Sequence, residues 1–145
     1  MASLRKFLLD KGYTRVPLKR INTNHYEIYA KVNGVDGRFI LDTGASNTCI
    51  GTDRIEYFNL QPKDSEIRAA GAGGRGMNTQ IAKRNSLEIG DWKRQKLAII
   101  LFNMMHVNAA LAERDAIPVD GIIGADVLKR SKAIIDYEKD CVYLK

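Results

Sequence analysis

The sequence predicts an all-β, barrel-like domain with one or two small helices. A chain of 145 residues, of which 45% are hydrophobic and 28% are charged, has the length and composition of one globular domain with its own core. Short apolar or alternating segments recur along the chain, separated by glycine and asparagine turns, while helical periodicity is weak. Many short strands with such turns indicate an all-β, barrel-like architecture.

The first residues predict a short helix within a basic segment. Ser3 is expected to cap a helix over residues 4–9, and Gly12 to end it. Residues 1–25 are predicted to form a basic N-terminal extension, a short helix plus a lead-in, ahead of one continuous domain over residues 26–145. The first 20 residues contain six Lys or Arg and one Asp, most of the formal net charge of +6. We interpret this charge as a solvated face; nucleic-acid binding is the less favoured alternative, since no RNA-binding aromatic motif or zinc-finger spacing accompanies it.

The strands are predicted from two patterns. Apolar and polar residues alternate over Tyr26–Val32, and Asn33-Gly34 then predicts a hairpin turn that returns through residues 39–41, an apolar run. Helical turns are expected at residues 53–58 and a short helix at Ala125–Arg130. Further strands are predicted at residues 66–70, 77–82, 86–89, 96–101, Gly121–Ile123, 133–137 and Cys141–Leu144.

Several classes of protein are disfavoured. The longest apolar run, residues 97–102, is far shorter than the roughly 20 residues of a membrane span, and no secretory hydrophobic region is present. Cys49 and Cys141 are expected to be reduced and partly buried. His25 and His106 lie far apart without a cysteine neighbour, so no metal is expected. We therefore expect a cytoplasmic protein with no membrane contact, metal or cofactor.

The most informative stretch is an aspartate on a glycine turn. The apolar residues 39–41 lead directly into Asp42-Thr43-Gly44, which fixes the direction of a carboxylate at the end of a strand. The simpler alternative is an Asx-turn, in which Asp42 only caps its own loop. Some 80 residues later, Gly121-Ile122-Ile123-Gly124 repeats the combination of apolar strand and glycine.

These two motifs, in this order, resemble the retropepsin-like aspartic proteases, and the chain is similar to single-domain cellular or bacterial members over residues 26–145. The resemblance implies a closed barrel with a flap hairpin, a symmetric homodimer and a peptide or unstructured protein as substrate. It implies that Asp42, Thr43 and Gly44 are catalytic. It implies substrate contacts at Ala45, Ser46, Asn47, Ala72, Gly73, Gly74, Ile122 and Ile123, of which the last two also form a strand behind the Asp42 loop.

One carboxylate is not enough for peptide hydrolysis, because water must lose a proton while the carbonyl oxygen gains one. Asp120 and Asp136 also adjoin apolar segments, but neither is followed by a hydroxyl residue and glycine. A second Asp42 from a second copy would complete the pair, which predicts a homodimeric aspartic endopeptidase. The alternative is a catalytically silent peptide-binding or dimerisation module on the same fold.

The sequence departs from the retroviral pattern beside the active-site loop. An aspartate and arginine that form an ion pair in retroviral enzymes are replaced here by Ser46 and Ala125. Asp126 is expected to hydrogen-bond to Ser46 or to nearby amides instead. Ala45 cannot donate to the carboxylate as a hydroxyl residue does in pepsin-like enzymes, so we expect a less acidic pH optimum than that of pepsin.

The glycine-rich residues 71–76 match the pattern GxGxxG, so a dinucleotide site is an alternative for this segment. That motif requires a following helix and an acidic residue about 20 positions later, and the sequence after Gly76 favours neither. We interpret residues 67–81 as a hairpin whose tip closes over the cleft as a flap.

Overall fold

The computed structural model describes residues 3–69 and 77–145. Within these ranges the chain forms three α-helices, α1 (Leu4–Asp10), α2 (Met105–Glu113) and α3 (Ala125–Arg130), and a 3-10 turn at Thr52–Arg54. The strands are β1 (Thr14–Pro17), β2 (Lys19–Arg20), β3 (Tyr26–Val32), β4 (Val35–Leu41), β5 (Cys49–Gly51), β6 (Pro62–Ala69), β7 (Met77–Ile89), β8 (Trp92–Phe102), β9 (Gly121–Ile123), β10 (Ile134–Asp136) and β11 (Cys141–Leu144).

A closed barrel forms the body of the molecule. The larger sheet has the strand order β2-β3-β4-β9-β5-β8-β7-β6, and an additional pairing between β3 and β7 closes it. The barrel strands are therefore β3, β4, β9, β5, β8 and β7. Closure pairs the backbone of each barrel strand on both sides and encloses one main hydrophobic core. Fully buried members of that core include Ile28, Phe39, Ile50, Leu101 and Ile123.

The all-β prediction is confirmed, but the helices outnumber the one or two expected. Oδ1 of Asn103 accepts a hydrogen bond from the first amide of α2, that of Met105, at 2.8 Å. The helix buries only Leu111, so its sequence carries no amphipathic pattern to predict it. The strands predicted at 77–82 and 86–89 are one strand, β7, whose register shifts around Asn85. Asn85 is buried, and its side-chain nitrogen Nδ2 donates to the carbonyl oxygens of Ala82 and Leu97 at 2.9 and 3.2 Å.

A second sheet contains the C-terminal strand at its centre. Its order is β1-β11-β10, and both pairings of β11 are antiparallel. Strand β11 is fully buried, and Val16 and Leu18 of the N-terminal segment belong to the main core. The N-terminal helix begins as predicted, because the amide of Lys6 donates to Oγ of Ser3 at 3.1 Å. A division of the chain at residue 25 stays a prediction, although β1 pairs along its length with β11.

None of the helices within residues 3–69 and 77–145 has the length and hydropathy that crossing a membrane requires.

Candidate active site

Asp42 lies where two parallel strands end side by side. Strand β4 pairs with β9 in a register that sets Leu41 opposite Ile123. The backbone amide of Asp42 continues this ladder by donating to the carbonyl oxygen of Ile123 at 3.0 Å. The two sequence motifs, about 80 residues apart, therefore meet at one edge of the barrel, as expected.

The Asp42 side chain is half-buried and oriented by its own turn. Its Oδ1 accepts a hydrogen bond from the amide of Gly44 at 2.8 Å, and its carbonyl oxygen accepts one from Ala45 at 3.2 Å. The Asx-turn weighed as an alternative is thus present, and it fixes the carboxylate instead of excluding a catalytic role. Thr43 and Gly44 are exposed. Among the described residues, none donates a hydrogen bond to Oδ2, which leaves that oxygen available.

The loop after Asp42 rests on the start of α3. The amide of Ala125 donates to the carbonyl oxygen of Ala45 at 2.7 Å. Gly124 passes so close that a Cβ on it would lie 2.7 Å from the carbonyl oxygens of both Ala45 and Asn47. Real Cβ atoms do not approach carbonyl oxygens so closely, so this position requires glycine.

Asp126 is held by a residue that the sequence analysis did not single out. Its Oδ1 accepts a hydrogen bond from Oγ1 of Thr48 at 2.8 Å and another from the amide of Val127, also at 2.8 Å. The expected amide contact is therefore present, but the hydroxyl partner is Thr48 and not Ser46, which is exposed. The spacing Gly124-x-Asp126 marked one side of this contact, whereas no local pattern marked Thr48.

The other aspartates beside apolar strands have structural partners. Asp136 accepts from the amides of Glu138 and Lys139 at 2.9 and 3.1 Å and so closes the β10–β11 turn. Asp120 lies at the start of β9, at the opposite end of that strand from Asp42. Its carboxylate is bonded there to the amide of Arg38 and the guanidinium of Arg54. Neither is positioned as a mate for Asp42 within the same chain.

Residues 28–127 match the aspartyl protease family. The chain belongs to this family. A search among curated protein sequences gave no match.

Solved structures agree in fold. The chain is similar to a retropepsin-like aspartic protease from Rickettsia conorii, with 21% identity, a TM-score of 0.61 and coverage of 91% of this chain and 90% of that one. It is similar to the retroviral protease-like domain of Ddi1 from Leishmania major, with 19% identity, a TM-score of 0.53 and coverage of 82% and 86%. It is also similar to EIAV protease complexed with the inhibitor HBY-793, with 18% identity, a TM-score of 0.51 and coverage of 81% and 93%. These likenesses show the retropepsin-like fold.

The remaining candidate residues of this aspartyl protease family member occupy different environments. Ala45 and Asn47 are half-buried on the Asp42 loop. Ile122 and Ile123 are 3% and 0% exposed. Ile123 packs in the main core, and Ile122 packs in a second hydrophobic cluster that includes Leu111 of α2, so direct contact of either side chain with a substrate stays a prediction. The predicted flap residues Ala72, Gly73 and Gly74 lie outside the described residues. A cavity of about 300 Å³ adjoins Thr43 and is lined also by Ala125, Leu128, Lys129, Lys132 and Ala133.

Cys49 lies just beyond the loop as a free, buried thiol. Burial, followed by the negative charges of Asp126 and Asp42, raises the pKa of its thiol from 9.0 to about 12. The neutral S–H donates to the carbonyl oxygen of Asn47 at 3.1 Å. Cys49 and Cys141 are both buried and free, and no group of three potential metal ligands is found within residues 3–69 and 77–145.

Proposed function

We propose that this aspartyl protease family member is a homodimeric aspartic endopeptidase in which Asp42 of each copy supplies one of two catalytic carboxyl groups. The observation that carries the proposal is the Asp42 side chain itself. It is half-buried at the end of β4, with one oxygen bonded to the amide of Gly44 at 2.8 Å beside an exposed turn. A carboxylate held by a backbone amide in this way is fixed in direction without losing access to water or substrate.

A second copy is needed because the chemistry requires two carboxyl groups with one proton between them. The carboxylate of the nearby Asp126 already accepts hydrogen bonds from the hydroxyl of Thr48 and the amide of Val127. Because Thr43 and Gly44 are exposed on the same turn, a two-fold axis beside them would bring one Asp42 against the other. Thr43 would then hydrogen-bond across the interface, and the cavity beside Thr43 would lie next to the partner.

The reaction consumes one water molecule and returns the pair to its starting state. The ionised Asp42 accepts a proton from water while the water oxygen bonds to the carbonyl carbon of the peptide. The protonated Asp42 of the other copy gives its proton to the carbonyl oxygen, which forms a neutral tetrahedral intermediate. Breaking the C–N bond requires a proton on the leaving nitrogen, which one carboxyl donates, while a hydroxyl of the intermediate returns a proton to the other. Electrostatic stabilisation and proton transfer thus both come from the same pair.

The substrate in this proposal is an extended peptide or an unstructured protein segment. Its backbone would pass next to Gly44, and the loop residues Ala45, Ser46 and Asn47 would border it. The flap predicted at residues 67–81 would cover the opposite side and exclude water during the reaction.

The test replaces Asp42 with asparagine, which keeps the shape and the acceptor oxygen but cannot hold the shared proton. Cleavage of an unstructured protein such as reduced, alkylated casein should be inhibited by a pepstatin-type statine compound and abolished in Asp42→Asn. Asp36→Asn, which alters an exposed aspartate on β4, is the matched control and should cleave normally. Sedimentation velocity should show that both variants remain folded dimers.

Cleavage that persists in Asp42→Asn would rule out the proposed mechanism. A wild-type protein that binds extended peptides without cleaving them over a broad pH range would instead support the silent peptide-binding module. A strictly monomeric protein that cleaves would contradict the need for a second copy.

A further inference from the structure

We infer that Thr48 is a positioning residue, which holds the loop carrying Asp42 in its catalytic geometry through one hydroxyl group shared between Gly124 and Asp126. The inference rests on the proposed role of Asp42. It concerns a side chain outside the Asp-Thr-Gly motif, on the residue directly before β5.

The hydroxyl of Thr48 accepts one buried hydrogen bond and donates one partly buried hydrogen bond. Its Oγ1 donates to Oδ1 of Asp126 at 2.8 Å and accepts from the amide of Gly124 at 3.0 Å. Thr48 is only 2% exposed, and its bond with the amide of Gly124 is buried. Only serine or threonine supplies a donor and an acceptor on one atom of this size, whereas valine matches the shape of threonine and supplies neither.

Every third residue of the loop from Asp42 to Thr48 forms a hydrogen bond with one of the three consecutive residues 123–125. The amide of Asp42 donates to the carbonyl oxygen of Ile123, and the carbonyl oxygen of Ala45 accepts from the amide of Ala125. The hydroxyl of Thr48 accepts from the amide of Gly124, which lies between those two partners. Two of the three hydrogen bonds are backbone contacts, and that of Thr48 is the one that depends on a side chain.

Asp126 sets the direction of the Thr48 hydroxyl proton. Its Oδ1 accepts from Thr48 and from the amide of Val127, so the carboxylate is fixed at the N-terminal turn of α3. With its proton committed to Asp126, Thr48 presents a lone pair to Gly124. Both bonds end on one oxygen, and an asparagine at position 126 retains such an oxygen. The arrangement therefore depends on hydrogen-bond geometry and not on the negative charge.

Loss of the hydrogen bond between the Gly124 amide and the Thr48 hydroxyl would let the loop move while the barrel stays folded. The reacting atoms of a hydrolase must be positioned to within a fraction of an ångström, and a displacement of about 1 Å can reduce the rate about 100-fold. Because the Asp42 carboxylate is oriented by the amide of Gly44 on this loop, movement of the loop changes the direction of the carboxylate.

The experiment compares four variants of the full chain with wild type, at a temperature where circular dichroism shows each to be folded. Thr48→Val should lower kcat about 10- to 100-fold and change KM by less than about threefold, whereas Thr48→Ser should retain most of kcat. Ser131→Ala is the matched control for loss of a buried hydroxyl. Ser131 is 0% exposed and donates to the carbonyl oxygen of Val127 at 2.9 Å, so its removal should lower stability without lowering kcat. Asp126→Asn should also retain kcat, since its amide oxygen accepts both bonds.

Hydrogen exchange measured by mass spectrometry gives a readout that does not require activity. In Thr48→Val, peptides covering residues 42–48 and the amides of Gly124 and Ala125 should exchange faster than in Ser131→Ala at equal global stability. A wild-type kcat in Thr48→Val, or exchange no faster than in Ser131→Ala, would overturn the inference while leaving the role of Asp42 intact. An equal loss of kcat in Thr48→Ser and Thr48→Val would also overturn it. Failure of the endopeptidase proposal would appear separately, as an inactive wild type or an active Asp42→Asn.

Discussion

The guanidinium Nε of Arg54 lies 2.8 Å from Oδ1 of Asp120, and Oδ2 of Asp120 accepts a hydrogen bond from the backbone amide of Arg38 at 2.9 Å. Asp120 directly precedes the Gly121-Ile122-Ile123-Gly124 motif, yet both of its oxygens are used to join β9 to β4 and to the 3-10 turn. The ion pair is partly buried, with side-chain exposures of 34% for Arg54 and 19% for Asp120. The carboxylate nearest this motif in sequence therefore serves the fold.

The first prediction separates this structural carboxylate from the proposed catalytic carboxylate of Asp42. Asp120→Ala should lower the free energy of unfolding by about 1–3 kcal/mol, because the amide of Arg38 and the guanidinium of Arg54 lose their acceptor. At a temperature where it is folded, the variant should keep at least about a third of the wild-type kcat. Urea unfolding and casein cleavage measure the two quantities. Loss of activity in a stable Asp120→Ala protein would mean that Asp120 takes part in the chemistry.

The second prediction concerns stability at alkaline pH. Burial, followed by the charges of Asp126 and Asp42, raises the pKa of Cys49 from 9.0 to about 12. The folded protein therefore keeps this proton over a pH range in which the unfolded chain loses it, so the contribution of Cys49 is present below pH 9 and is lost as pH rises towards 12. In that window the unfolding free energy should fall by up to about 1.4 kcal/mol per pH unit from this group alone.

Urea unfolding of wild type and Cys49→Ala at a series of pH values measures this effect. The wild-type curve should fall more steeply above about pH 9, whereas the two curves should run parallel near neutral pH. The thiol of folded wild type should also remain unreactive towards iodoacetamide at neutral pH. Parallel curves over the whole range would show that the thiol ionises as easily in the folded protein as in the unfolded chain.

The third prediction follows from the sheet in which β11 is paired on both sides by its own chain. Leu144 on β11 is 1% exposed and belongs to the main core, so Leu144→Ala should lower the unfolding free energy by about 2–5 kcal/mol. The dissociation constant of the proposed homodimer should not change, because the neighbours of β11 are β1 and β10 of the same copy. Tyr29→Ala, at a residue 59% exposed, is the control and should change stability by less than about 0.5 kcal/mol.

Chemical unfolding at one protein concentration and sedimentation equilibrium of the folded protein measure the two effects separately. A dissociation constant raised about tenfold or more in Leu144→Ala would indicate that the C-terminal strands contribute to the contact between copies.

The accuracy of the sequence-based predictions varied with the strength of the local pattern. The bounds of β3, β9, β11 and α3 were predicted correctly, because alternation, an apolar run or a preceding glycine marked each of them. Helix α2 was missed because its residues bury little, and the short strands β1, β2 and β5 were also missed. For Asp126 the expected amide contact was correct, but the expected hydroxyl partner was wrong, because Ser46 and Thr48 are equivalent as isolated hydroxyl residues.

Local chemistry placed Asp42 at the end of an apolar strand, since turn residues and apolar runs act over a few neighbouring positions. The link between its motif and the later Ile-Ile-Gly run came from the resemblance to a protein family. Only the tertiary structure shows that Thr48 accepts a hydrogen bond from the amide of Gly124, 76 positions away. Only the tertiary structure shows that β11 pairs on both sides with strands of its own chain. Contacts of that kind depend on the register of strands distant along the chain, and register comes from the packing of the whole barrel core, which no short stretch of residues encodes.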